Sequence, residues 1–472
     1  MYGLNKLFRR LAYLITALFC LLAITAWVMP SDVIRLISKD DHILLGRYGM
    51  GHFNAALVLT TIALVLVYLC RPCGGTRRRL ATVLGYSAMF MVVLFVVDLI
   101  LRSLFDDAAY VHVGELRLRP PNMQHEIVYR DVPVPHRTLP GLRPGYPDYP
   151  MTMRTDSRGF RNTEALDRSD VLVIGDSFAE GSRVDDNDAW ANRLNAALPQ
   201  QFYNIANSGD DPFKYLAKYR RYGRTLKPDT VLLMLYEGND FKGRKQGVKQ
   251  ADFSFRESVD NYFRFAPLKV RYKRLLRNLL GPVNADAPLN SDVLDWLPFP
   301  HRVDERENWY VVSPKNVSQL LTAADEFQNG RGWTSSRIPL GQIIKEIRAD
   351  GAKPMVVYAP SKARVMLPLV ADTLDPGDIR DYLMLLGKKI PDTVESETPE
   401  NLLKLMLAVE GQREQAVEVF FESLGVPFLS LTEPLRMAAR QGLQPYFTYD
   451  QHWSPEGHAT VAGYLLTQLE LD

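Results

Sequence analysis

Val171-Leu172-Val173-Ile174-Gly175-Asp176-Ser177-Phe178 is the stretch on which the fold turns. Four apolar residues, three of them β-branched, end abruptly at a glycine, which is the pattern of a short buried strand. The same unit recurs downstream. Ala189 to Leu198 has helical spacing of Trp190, Leu194 and Leu198, and Phe202 to Ile205 reads as a second strand. Phe213 to Tyr222 is helical, and Thr230 to Tyr236 is a third and most apolar strand. Ile338 to Ile347 reads as a helix, Pro354 to Tyr358 as a fourth strand, Val426 to Leu431 as a fifth and Gly457 to Leu469 as a closing helix. Pro427 is tolerable only because it falls at a strand start. Strands alternating with helices predict a parallel sheet covered on both faces, an α/β fold. Functional sites in such sheets lie beyond the carboxyl ends of the strands.

Upstream the composition changes. Over 472 residues the chain is 47% hydrophobic and 23% charged, which excludes a disordered or fibrous protein. The apolar excess sits in the first hundred residues. Leu11 to Met29, Asn54 to Cys70 and Leu84 to Leu101 are each near the roughly 17–25 residues a helix needs to cross a bilayer. Three such runs in series predict a multispan anchor rather than a cleaved secretory leader. Lys6, Arg9 and Arg10 precede the first run, and Arg71, Arg77, Arg78 and Arg79 lie between the second and third. The positive-inside rule then puts both stretches in the cytoplasm and everything after Arg102 outside. Asp98, within the third run, reads as reaching interfacial water near its outer end.

The expected division is an anchor over 1–103, an extended proline-rich lead-in over 104–165 and an α/β domain over 166–472. Insertions interrupt that domain at about 242–335 and 361–425, where selectivity could reside. Phe263 to Leu280, basic and apolar, reads as a helix capping the domain. Net charge is +2, so nothing points to nucleic acid. Cys20, Cys70 and Cys73 are too few and clustered for a disulfide scaffold or a cysteine zinc site, and no metal or organic cofactor is implied.

The chemistry sits on the turns after the strands. A serine directly after the first strand can point its hydroxyl out of the sheet edge. Such a serine needs a base, which histidine supplies most often because its pKa of about 6.5 lies near working pH. Only His301, His452 and His458 follow Ser177. His452 lies in Tyr449-Asp450-Gln451-His452-Trp453, after the last strand and at the same edge as Ser177. Asp450 is placed to orient its imidazole. His458, at the start of the closing helix, reads as a packing or capping residue, and His301 has no obvious partner. Gly209 after the second strand and Asn239 after the third are candidate donors for an oxyanion. Ser177, Gly209, Asn239 and His452, each just past a strand, are far more specific together than singly.

This constellation resembles the SGNH, or GDSL-type, hydrolase superfamily. The resemblance rests on Gly175 to Phe178, Gly209, Gly238-Asn239-Asp240 and Asp450 to His452, and covers roughly Asp170 to Asp472 apart from the insertions. It implies a flavodoxin-like three-layer α/β/α fold. It also implies Ser177 as nucleophile and first oxyanion donor, with Gly209 and Asn239 as the others, His452 as base and Asp450 as its carboxylate. One departure stands out: the aspartate precedes the histidine by two residues, where three is the common spacing. That form, and Met153 to Arg161, resemble membrane-linked bacterial members and those acting in surface-polysaccharide O-acetylation. Lys362, in Tyr358-Ala359-Pro360-Ser361-Lys362, resembles a recurrent feature there and reads as solvated.

The leading expectation is a serine esterase facing the periplasm or cell exterior from a bacterial inner membrane, acting on O-acyl, typically O-acetyl, groups of a surface glycan. An O-acetyltransferase would use the same residues with a sugar hydroxyl in place of water. A glycan-binding or assembly component keeping the fold without catalysis is the alternative of another class. The bilayer and an acylated carbohydrate are the expected partners; no protein partner is indicated. A transporter is disfavoured, since the three spans lack paired polar residues.

Overall fold

The computed structural model describes residues 2–29, 43–45, 48–70, 75–104, 111–113, 116–131, 145–243, 272, 297–384, 386 and 390–469. Cys73, the stretch 263–280 apart from Tyr272, and the side chain of Asp98 lie outside what is described. The chain forms two compact units, one holding the N-terminal helices and one holding the sheet.

In the first unit, helices α1 (Tyr2–Val28), α2 (Met50–Cys70) and α3 (Thr76–Leu104) contain the apolar stretches Arg10–Val28, Gly51–Cys70 and Arg77–Val97. Each is long and apolar enough to cross a membrane. At 1.5 Å per residue, about 20 residues span the ~30 Å hydrocarbon layer. Helices α1 and α2 meet through Trp27, whose Nε1 donates to Thr60 Oγ1 at 2.8 Å. Its indole packs edge-on against Phe53 at 5.6 Å.

The second unit is built on five parallel strands: β1 (Val171–Ile174), β2 (Phe202–Asn204), β3 (Thr230–Tyr236), β4 (Lys353–Ala359) and β5 (Phe428–Ser430). Their spatial order is β2-β1-β3-β4-β5. This is the flavodoxin-like order, whose switch point lies between β1 and β3. All seven residues of β3 are buried, as a central strand covered on both faces requires.

Strand alternation divides the core into two layers. Val171, Val173, Leu232, Met234 and Val357 pack with Trp190 and Leu194 of α5 (Trp190–Ala197), Leu435 of α10 (Thr432–Arg440), and Val461 and Leu465 of α11 (Pro455–Gln468). Leu172, Ile174, Leu233, Leu235 and Val356 pack with Tyr215 of α6 (Pro212–Lys218), Ile343 and Ile347 of α7 (Arg331–Ala349) and Phe421 of α9 (Gln412–Ser423). Two further helices that bear on the site are the short α4 (Ser177–Glu180) and α8 (Lys362–Val370).

Two elements depart clearly from their expected bounds. Helix α7 begins at Arg331 and runs through Pro339, where an interior proline ordinarily costs about 3 kcal/mol. Its early turns are held by tertiary contacts: Ser336 Oγ donates to Asp240 O at 2.8 Å, and Trp333 meets Phe241 edge-on at 5.5 Å. Strand β5 is only three residues long, because Pro427 contributes just its carbonyl, to Val356 N at 2.9 Å. Upstream, the lead-in pairs with itself. Gln124–Tyr129 and Tyr149–Arg154 form an antiparallel ribbon, and Val111–Val113 pairs with Leu116–Leu118.

Candidate active site

Gly175 ends β1 because nothing larger fits. A Cβ there would come within 2.5 Å of Ala179 Cβ and 2.9 Å of the Met234 carbonyl. The chain therefore turns tightly at the β1/β3 switch point and passes into α4. Asp176 caps that turn, its Oδ1 accepting from Phe178 N at 2.9 Å and its Oδ2 from Asn239 Nδ2 at 3.0 Å. Burial pushes the Asp176 carboxyl up to about 6, against those two donors. Ser177 follows it and is 5% exposed.

The Asn239–Asp176 bond joins the turn after β3 to the turn after β1 and leaves one amide hydrogen of Asn239 uncommitted to it. Gly209, after β2, has φ +78°, a left-handed conformation suited to glycine. The Arg117 guanidinium crowds it: a Cβ on Gly209 would lie 2.7 Å from Nη2, which also donates to the Ser208 carbonyl.

Asp450 and His452 form a compact dyad. His452 Nδ1 lies 2.5 Å from Asp450 Oδ1, and the same oxygen accepts from His452 N at 3.0 Å. The two-residue spacing is thus sufficient. Arg183 Nε stands 3.2 Å from Asp450 Oδ2. Burial pushes the Asp450 carboxyl up, but His452 and Arg183 outweigh it and hold the group well below the carboxylate range. The imidazole lies against Phe178, the residue after Ser177, with centroids 5.0 Å apart. His452 Nε2 is buried and has no hydrogen-bond partner among the described residues.

His458 is buried, accepts from Trp190 N through Nδ1 at 3.3 Å, and has the packing role expected of it. His301 sits in the hairpin of Leu297–Val303 with Arg306–Val312, opposite Asn308.

Lys362 corrects the sequence reading. It is 2% exposed rather than solvated, and its Nζ donates to the carbonyls of Phe447 at 3.0 Å, Thr448 at 2.8 Å and Asp450 at 2.8 Å. Burial draws its amine down to about 8, against the pull of Asp131 and Asp450.

Other supporting residues were not assigned a role from the sequence, although Asp156 and Arg161 lie within the Met153 to Arg161 stretch noted above. Arg119 pairs with the buried Glu180 of α4 through two bonds, at 2.8 and 3.0 Å. Burial alone would raise the Glu180 carboxyl, but Arg119 holds it below its ordinary value. Arg161 reaches the Gly181 carbonyl and bonds Val184 O at 2.6 Å and Asp186 Oδ1 at 2.9 Å. Asp156 accepts from Tyr203 Oη at 2.6 Å, which ties the stretch before β1 to β2. A cavity of about 800 Å³ lined by Arg364, Glu410, Thr432, Arg436 and Tyr464 includes none of the candidate residues.

No family model and no curated protein matches the chain. Among solved structures it is similar to a member of the lipolytic protein G-D-S-L family from Veillonella parvula, at 11% identity and TM-score 0.29, covering 63% of this chain and 96% of that one. It is similar to TesA at 13% identity and TM-score 0.29, covering 64% and 97%. It is also similar to a GDSL-like lipase from Bacteroides thetaiotaomicron, at 10% identity and TM-score 0.27, covering 63% and 85%.

Proposed function

We propose that this chain is a membrane-anchored serine esterase of SGNH type that removes O-acyl groups from a surface glycan outside the cytoplasm. One observation carries the reading. An Asp450–His452 dyad lies against the residue after Ser177, at the switch point of the sheet, with the outer imidazole nitrogen buried and without a partner among the described residues. A buried polar atom left without a partner costs about 1–3 kcal/mol, and such a cost is commonly retained where function needs the atom. Catalytic hydrogen bonds are often long in unliganded sites and tighten on substrate, so an imidazole waiting for its proton fits the role.

Ser177 Oγ attacks the ester carbonyl and its proton passes to His452 Nε2. The Ser177 and Gly209 N–H groups and the free Asn239 amide hydrogen hold the oxyanion. The intermediate expels the alcohol, which takes the proton from His452, and water then releases the acid by the same steps. Asp450 keeps Nδ1 protonated and stabilises the imidazolium. The arginine-rich segments before the first and third spans favour an outward-facing domain, and hence a glycan ester as substrate.

The test uses the full chain in detergent with an aryl acetate and an acetylated glycan. The expected result is acetate release that is lost in Ser177→Ala and in His452→Ala, together with an acetyl-Ser177 peptide trapped by mass spectrometry in the parent chain. Absence of turnover and of labelling by a serine-directed phosphonate, in folded protein, would overturn the reading.

A further inference from the structure

The loop bearing the dyad is gripped by two buried side chains of opposite charge from different parts of the chain. Asp131, at the end of the Gln124–Tyr129 ribbon, is 3% exposed. Its Oδ2 accepts from Thr448 N at 2.6 Å and from Tyr146 N at 2.9 Å. Its Oδ1 accepts from Tyr449 N at 3.1 Å and from Asp450 N at 3.2 Å. Lys362, the first residue of α8, spends three N–H bonds on the carbonyls of Phe447, Thr448 and Asp450.

The N–H groups of the loop thus point at an anion and its carbonyls at a cation, and both backbone groups of Asp450 are held. Taking a lysine and an aspartate out of water is costly unless their hydrogen bonds are replaced. Here the replacements fall on the four residues 447–450, which end two positions before His452. The far end is held across the loop by the Tyr446–Trp453 bridge, in which Phe447 N donates to His452 O at 3.1 Å and Ser454 N to Pro445 O at 3.1 Å.

We propose that Asp131 and Lys362 are positioning residues for the Asp450–His452 dyad, so that the lead-in before the sheet domain completes the active site. This rests on the esterase reading above. Neither residue touches the reacting atoms. Each acts by fixing the backbone of Asp450, and through its carboxylate the direction of the imidazole. A misplacement of about 1 Å costs on the order of 10²-fold in rate.

The experiment compares the full chain in detergent with its Asp131→Asn and Lys362→Met variants, Ser177→Ala serving as the inactive control. Three quantities are read: kcat and KM on an aryl acetate, phosphonate labelling of Ser177, and hydrogen exchange of the amides of residues 447–452 against those of β3. The expected result is a kcat lower by on the order of 10²-fold with KM little changed. Amides of the loop should lose protection while those of β3 keep theirs. Asp131→Asn preserves shape and serves as the test if Lys362→Met fails to fold. Variants that retain kcat within about threefold of the parent would overturn the proposal, as would unchanged loop protection. If the parent neither turns over ester nor labels, the esterase reading falls. The exchange arm then still decides whether the clamp holds the loop.

Discussion

Arg119 of the lead-in holds Glu180 of α4, the helix that begins at Ser177, through two parallel bonds, at 2.8 and 3.0 Å, with the carboxylate 1% exposed. The pairing spans 61 residues of sequence and ties the turn that carries Ser177 to a segment outside the sheet. A charge-assisted, bidentate contact of this kind fixes orientation as well as contributing energy.

Arg119→Ala should therefore strand a buried carboxylate and destabilise the domain by roughly 3 kcal/mol. The pH dependence has a definite sign. Glu180 is held below its ordinary value, so its contribution is present above the unfolded carboxylate range and is lost as pH falls. The gap in thermal midpoint between parent and variant should be widest near neutrality and narrow below about pH 4. A gap independent of pH would contradict the assignment.

Asp176→Asn should separate stability from activity. Burial raises the Asp176 carboxyl to about 6, so in the folded state it binds its proton over a range where the unfolded chain has released it. The stability of the parent relative to the variant should therefore fall as pH rises from about 4 to about 6. At neutral pH the variant is expected to melt higher. Its new amide faces the donor of Asn239, which must flip to present its oxygen, and Asn239 Oδ1 is indeed buried without a partner among the described residues. The flip removes the proposed oxyanion donor, so kcat should fall about 10²-fold. Melting curves at pH 4.5 and 7.5 with kcat at 7.5 decide it.

Gly209→Ala meets two obstacles, a φ of +78° and the Arg117 guanidinium. The backbone cost alone is about 1–2 kcal/mol. Relief by shifting the turn would carry the Gly209 N–H away from the oxyanion, so kcat should fall by about 10²-fold or more with a lowered thermal midpoint. The double variant with Arg117→Ala should recover part of the midpoint but not the rate.

Asp450→Asn removes the charge that sets the His452 tautomer while leaving the shape of the dyad. The expected loss in kcat is on the order of 10⁴-fold, with phosphonate labelling of Ser177 slowed in parallel. A loss below tenfold would remove Asp450 from the catalytic group.

Much of this was legible along the chain, because strands and spans announce themselves through neighbours. β1 and β3 stand at their expected bounds, since a strand buried on both faces is an unbroken apolar run. Ser177 and Asn239 stand directly beyond β1 and β3, and Gly209 beyond β2, whereas α10 separates β5 from the loop bearing His452. The start of α7 was not legible: Pro339 argues locally for a boundary, and only packing on Phe241 and Asp240 carries the helix back to Arg331.

The sequence by itself determined the alternation of strands and helices, the three long apolar helices and the residue types at the strand ends. The tertiary structure decided which polar groups serve those ends. Arg119–Glu180, Lys362–Thr448 and Asp131–Thr448 join residues 61, 86 and 317 positions apart. Local periodicity reports burial over a few residues, whereas an ion pair or a buried clamp depends on which distant segments the sheet order brings together. Lys362 shows the difference plainly. As a lysine after a strand it reads as solvated, and it is buried because the carbonyls of the dyad loop converge on its ammonium.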